Sequence, residues 1–327
     1  MGYKSTNGLM RHLRDNGIAI EGGTQKRQLT NAGYYHGYKG YRFFQTSTNR
    51  LPFTTWDEVY ATIQYDAGLK ALFYDKMMFI ETAVKNISLE CILEAAKSED
   101  IQHMLDSVIN DYNNVPSSLG DKSRKEIQKR KLRLQSSIQT NLERAYAKRN
   151  PKITHFYENL NYRSVPLWAL FEILMMGDFA YLLECLNFAT RDAITDRLKI
   201  NKAADTNREL IYRYLYALKD LRNAIAHNAV VFDARFRSFK PTKSMCDCLV
   251  KDVGVPYVNF KTIGDYLILM CYYLKHLGVG KKELRSFVRS FEKLTNDYRA
   301  SVSPAVSSIV IHPDLTSRLQ ILKKFIG

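Results

Sequence analysis

Apolar residues recur at spacings of three and four along most of this chain, and that periodicity confines it to a helical fold. Between Trp56 and Ala95 the run is Val59, Ile63, Leu69, Leu72, Phe73, Met77, Ile80, Val84, Ile87 and Leu93, one face of a long helix. Thr54 and Thr55, followed by Asp57 and Glu58, make a suitable start, with acidic groups where the N-terminal dipole favours them. Pro166 to Leu186, Asn207 to Asn228, Ile263 to Leu277 and Lys281 to Arg299 read the same way. Strand-like alternation is scarce, and Ser308 to His312 is its best case. The predicted fold class is mostly α.

The first 50 residues form a separate N-terminal helical and aromatic cap to a helical domain over 51–327. A short helix, Thr6 to Asn16, ends near Gly17, and Gly22-Gly23 marks a turn before a second helix. Five aromatics between Gly33 and Phe44 are then interleaved with His36, Lys39 and Arg42. Two readings stand: aromatic faces and cations that hold RNA, or tyrosines that pack the cap onto the bundle. Asp121 to Lys152 predicts a long basic helix after a flexible approach at 113–120. Its cations include Lys122, Arg124, Lys125, Lys129, Arg130, Lys131 and Arg133, either an RNA-backbone surface or a solvated face. Residues 229–257, punctuated by Pro241, Gly254 and Pro256, predict a loop-rich excursion.

Lys and Arg number 48 against 33 Asp and Glu, a formal charge of +15. That balance favours polyanionic partners, nucleic acid above all. The five cysteines are odd in number, and four sit in apolar surroundings, as suits free thiols in a reducing cytoplasm. Cys246 and Cys248 lack the spacing and the second pair of a zinc site. The N-terminus has no signal-peptide core, and Glu172, Gly177 and Asp178 interrupt the most apolar stretch. That stretch therefore predicts a buried helix pair or kinked core helix, not a membrane span. The expectation is a cytoplasmic protein without metal or cofactor.

Chemistry concentrates in Leu221-Arg222-Asn223-Ala224-Ile225-Ala226-His227-Asn228. A histidine moves protons near neutral pH, and a guanidinium clamps phosphate in two places. On a helix Arg222 and His227 lie about 140° apart, whereas Asn223 and His227 share a face with Asp220 below them. Asn223 or Asp220 is therefore expected to orient His227. Cleavage of RNA by its own 2′-hydroxyl needs a base, an acid and charge stabilisation at phosphorus. One copy of the octet supplies one histidine, so a composite site predicts a homodimer. The structural alternative is an ion-paired arginine and a hydrogen-bonded core histidine.

The octet resembles the Arg-Asn-x-x-x-His signature of the HEPN superfamily. The chain as a whole resembles abortive-infection proteins of the AbiD/AbiF type. Leu13 to Ile20 is similar to the family's helix and turn, and Tyr34 to Tyr41 is similar to its aromatic element, with His36 in place of the usual arginine. Tyr65 to Lys70 and Ile80 to Lys85 follow, the latter with lysine for arginine. His155-Phe156-Tyr157, Pro166 to Gly177, and Leu218 to His227 complete the order, and Asn228 stands where a second histidine is common. The resemblance implies a HEPN-type helical bundle and a metal-independent endoribonuclease, a toxin-like effector of antiviral defence that a partner can hold in check. His227 would move protons, Arg222 would stabilise charge at phosphorus, and Asn223 would orient or bind. Glu81 and Glu172 read as structural. Two other readings remain: an RNA-binding protein that grips a structured noncoding RNA without cutting it, and a toxin-like partner whose motif serves assembly alone.

Overall fold

The computed structural model describes residues 4–162 and 164–327. Among these residues there are fifteen α-helices, a wide-turn segment, a short 3₁₀ segment and no strand. The chain is mostly α, as the periodicity predicts.

Helices α1 (Thr6–Asp15) and α2 (Gly22–Ala32) open the chain, separated by Gly17 at φ +81°. The wide helical segment Gly33–Lys39 follows directly. Next, α3 (Trp56–Ala96) runs for 41 residues, about 60 Å at 1.5 Å per residue. Its start is a reciprocal cap: Glu58 N–H donates to Thr55 Oγ1 at 3.3 Å, and Thr55 N–H donates back to the Glu58 carboxylate at 3.3 Å. Helix α4 (Ile101–Ser107) is capped by Asp100. The basic segment is broken in two, α5 (Gly120–Ala147) and α6 (Pro151–Glu158). Arg149 at φ +52° ends the first, while Asn150 and Pro151 start the second.

The apolar stretch after Pro166 is a helix pair, α7 (Leu167–Ile173) and α8 (Met176–Cys185). Asp178, in the first turn of α8, accepts from Ser137 Oγ at 2.9 Å and Asn141 Nδ2 at 3.1 Å, tying that helix start to α5. Then come α9 (Phe188–Arg197), α10 (Leu210–Ala226), α11 (Lys243–Val253), α12 (Ile263–His276), α13 (Lys281–Ser301), α14 (Pro304–Val310) and α15 (Leu315–Ile326). Two expectations need correction. The excursion after the motif contains the 11-residue helix α11, leaving irregular chain only on either side of it. Ser308 to Val310 is helical, not extended, because Pro304 sits in the first turn of α14 and Val306 and Val310 meet the core one turn apart.

The chain forms two compact units. The first comprises Met1–Met77, Asp220–Pro241 and Leu249–Gly327. Its core is the N-terminal half of α3 against α13, where Tyr65 stacks on Tyr298 at 4.5 Å and Phe73 lies against Phe287 and Phe291. Gly68 permits that approach, since a Cβ there would come within 2.7 Å of Leu294 Cδ1. The second unit comprises Met78–Lys219 and Thr242–Cys248, with α5 packed on α6, α7 and α8. All five cysteines are free thiols. Burial pushes those of Cys185, to about 12, and Cys271 upward. No described helix is long and apolar enough to cross a membrane. Among the described residues, no group of three or more His, Cys, Asp or Glu converges as metal ligands would.

Candidate functional site

Arg222, Asn223 and His227 sit at the C-terminal end of α10, within the first unit. Leu221 and Ala224 are buried and hold this end of the helix in place. The helix stops at Ala226, so the octet is not helical throughout. His227 is the capping residue, its N–H still donating to Asn223 O at 2.9 Å. Asn228 is left-handed at φ +52°. Its N–H donates to Ile225 O at 3.2 Å, and Ala229 N–H donates to Ala224 O at 2.8 Å. This paired closure needs a residue that tolerates the left-handed region, and asparagine does so second only to glycine. A physical requirement of the cap therefore explains Asn228.

His227 projects beyond the helix end and is exposed, and its imidazole makes no hydrogen bond among the described residues. The expected orienters act elsewhere. Asp220 accepts from Ser238 N–H at 2.6 Å, Ser238 Oγ at 2.8 Å and Phe239 N–H at 3.1 Å, fastening the loop after the motif. Asn223 meets His227 through its backbone carbonyl alone, and its side-chain oxygen accepts from Arg222 Nη1 at 3.4 Å. The ring of His227 is thus placed by the cap and not by a carboxylate or amide.

Beneath the cap lies a polar network that the sequence order conceals. Lys70 Nζ donates to Asn228 Oδ1 at 2.8 Å and pairs with Asp66 at 2.7 Å. Asp66, fully buried, also accepts from Tyr41 Oη at 2.8 Å and from the N–H groups of Val231 at 2.7 Å and Phe232 at 2.8 Å. Burial first, then the Asp66 charge, pushes the Tyr41 phenol upward, which keeps it a donor. Tyr41 stacks on Phe232, with ring centres 6.0 Å apart. One residue further, Asp233 accepts from Gln45 N–H at 2.6 Å and pairs with Arg235, which in turn donates to Gly40 O and Phe43 O.

The same network reaches His36. Asn228 Nδ2 lies 3.2 Å from His36 Nε2. A lysine ammonium only donates, so the Asn228 oxygen must face Lys70 and its NH2 must face His36. His36 Nε2 is therefore the acceptor, and the ring proton resides on Nδ1. His36 is exposed on the wide segment, where Gly37 lies so close to Ala32 that a Cβ there would meet Ala32 Cβ at 3.0 Å. Tyr34, Tyr38 and Tyr41 turn inward while Tyr35 and His36 face out. Lys39 Nζ lies over the Tyr35 ring at 4.8 Å, and Arg42 lies over Phe43 at 4.5 Å. Most of the tyrosines pack the core; Tyr35, His36 and Lys39 are the outward set.

The basic helix α5 belongs to the second unit, and its seven candidate cations are not equivalent. Lys131 is buried and pairs with Asp106 at 3.3 Å and Asp111 at 3.1 Å, so it is a structural cation that no ligand can reach. Arg124 stacks on Tyr112 at 4.0 Å and donates to its carbonyl. Lys125 pairs with Asp121 at 2.7 Å, Lys129 with Glu126 at 3.9 Å and Arg130 with Glu184 at 3.6 Å. Lys122 and Arg133 are exposed and form no ion pair among the described residues. Glu81 pairs with Lys85 at 3.0 Å and Glu172 with Lys152, both within the second unit.

Sequence reasoning found the motif and missed its support. Asp66 and Lys70 carried no expected role, although a carboxylate and a lysine one turn apart inside an apolar face are a recognisable signal. Fold and site together define a mostly helical protein with an exposed histidine on the capped end of an arginine–asparagine helix. Residues 27–233 match the family described as Abi-like protein, and the chain belongs to that family. A search of curated proteins found no match, and a search of solved structures found none.

Proposed function

We propose that this protein is a metal-independent HEPN-type endoribonuclease of the AbiD/AbiF kind, acting as an abortive-infection effector against phage. The observation that carries the reading is the His227 imidazole, exposed and unengaged among the described residues on the hydrogen-bonded helix cap, with the Arg222–Asn223 pair one turn behind it. Family membership supports the defence role.

In the proposed reaction a neutral imidazole takes the proton of a ribose 2′-hydroxyl. The 2′-oxygen attacks the adjacent phosphorus, and the 5′-oxygen leaves with a proton from a second acid. The products are a 2′,3′-cyclic phosphate and a 5′-hydroxyl. Arg222 bears on the charge that accumulates at phosphorus. One protomer offers one unengaged motif histidine, so the partner copy supplies the second proton group in a composite site. The outward set around His36 and the unpaired cations of α5, Lys122 and Arg133, would meet the RNA.

The test is end-mapping of RNA incubated with the purified protein in EDTA. Cyclic phosphate ends should form, and His227→Ala and Arg222→Ala should each slow cleavage by about 10²–10⁴-fold. Full-rate cutting by His227→Ala, or loss of cutting in EDTA, would overturn this mechanism. RNA that co-purifies and stays intact would favour a protein that binds RNA without cleaving it.

A further inference from the structure

Beyond the stretch matched to the family, α13 and α15 pack through Leu284, Phe287, Val288 and Leu319, Leu322, Ile326, which are all buried. Their outer edges carry a different chemistry. Lys281, Arg285 and Arg289 stand at successive four-residue steps of α13, one charged stripe rising about 6 Å per step. Arg285, Arg289, Lys323 and Lys324 line an open cleft of about 560 Å³, with Lys281 beside Gly327 at its end.

The acids on these helices do not neutralise the stripe. Glu283 pairs with Lys76 at 2.5 Å, Glu292 with Lys323 at 2.6 Å and Asp297 with Lys293 at 2.6 Å. Arg285 donates to Gly327 O at 2.6 Å. Lys281, Arg289 and Lys324 form no ion pair among the described residues and are exposed. Like charges at four-residue spacing oppose helix formation, so the stripe is retained at a cost in stability.

We infer that this cleft is a sequence-independent groove for the phosphodiester backbone of single-stranded RNA. Its step matches the spacing of successive phosphates along an extended strand. No exposed large apolar side chain among the described residues lies on α13 or α15. The cleft therefore has neither the aromatic platforms that would read bases nor the apolar face that would enter a bilayer. The inference rests on the reading of RNA as the ligand but not on cleavage.

The experiment measures binding of a labelled oligouridylate to the full chain carrying His227→Ala, across a series of salt concentrations. Adding Lys281→Gln, Arg289→Gln and Lys324→Gln together should lower the salt slope by about 2, at about 0.7 per lost phosphate contact. That corresponds to affinity weaker on the order of 100-fold at 0.1 M salt. Circular dichroism melting should not fall, because none of the three holds an ion-pair partner among the described residues and neutralising the stripe relieves repulsion along α13. An unchanged slope would overturn the groove. So would an RNA slope that stays while binding to anionic vesicles falls, which would assign the face to a membrane. A lowered slope in a protein whose wild type never cuts RNA would sustain the groove and refute the ribonuclease. Wild-type protein that binds no RNA would refute both.

Discussion

Asp66→Ala is the sharpest perturbation of the motif that does not touch the motif. The substitution strips four donors of one acceptor: Lys70 Nζ, Tyr41 Oη and the N–H groups of Val231 and Phe232. Asp66 is fully buried and Lys70 nearly so. Breaking a buried pair from one side costs about 3–5 kcal/mol, because the other charge stays behind uncompensated. The two amides add about 1–3 kcal/mol each if nothing replaces the carboxylate, but water entering the vacated space offsets part of that. A net loss of about 4–5 kcal/mol is expected. Lys70→Met on top of Asp66→Ala removes the stranded charge, so the double variant should recover about 2 kcal/mol of the summed single losses. Urea unfolding followed by fluorescence of the buried Trp56 reports the first unit, with the half-exposed Trp168 of the second changed to Phe. A loss below 1 kcal/mol for Asp66→Ala, or strictly additive single effects, would refute the account of Asp66 as the hub beneath the cap.

Asn228 separates cap from bridge. Asn228→Gly keeps the left-handed turn and should hold stability within about 1 kcal/mol while releasing Lys70 and His36; Asn228→Ala adds the left-handed penalty, about 1–2 kcal/mol. Equal unfolding midpoints for the two variants would refute the cap. Glu58 offers a pH signature. Burial alone would raise its carboxyl, but hydrogen bonds from Ser303, Thr54 and Thr55 outweigh that and hold it below the usual range. A lowered folded-state value gives stability that is complete above about pH 4.3 and disappears as pH falls through the folded value. The stability gap between wild type and Glu58→Gln should therefore be flat well above about pH 4.3 and close as pH falls below it; a gap independent of pH would contradict the assignment.

The helices were legible because their signal is local. The three- and four-residue spacing of Val59, Ile63, Leu69 and Phe73 records a burial face whatever covers it. The same locality sets its limits. Ser308 to Val310 alternates in sequence, yet Pro304 one turn earlier starts a helix there. Lys131 looks like its neighbours in a basic run, but it alone of the seven candidate cations is buried, against Asp106 and Asp111. A composition of cations cannot say which of them faces water.

The site divides along the same line. The sequence alone determined that an arginine, an asparagine and a histidine share one end of one helix, because they lie within six residues and helical geometry orders everything at that range. Tertiary structure decided what holds that end. Lys70 is 158 residues from Asn228, Asp66 is 165 from Val231 and His36 is 192 from Asn228. No periodicity links such positions. Only the folded core, which gives a buried carboxylate its partners from distant segments, brings these groups together under the helix cap.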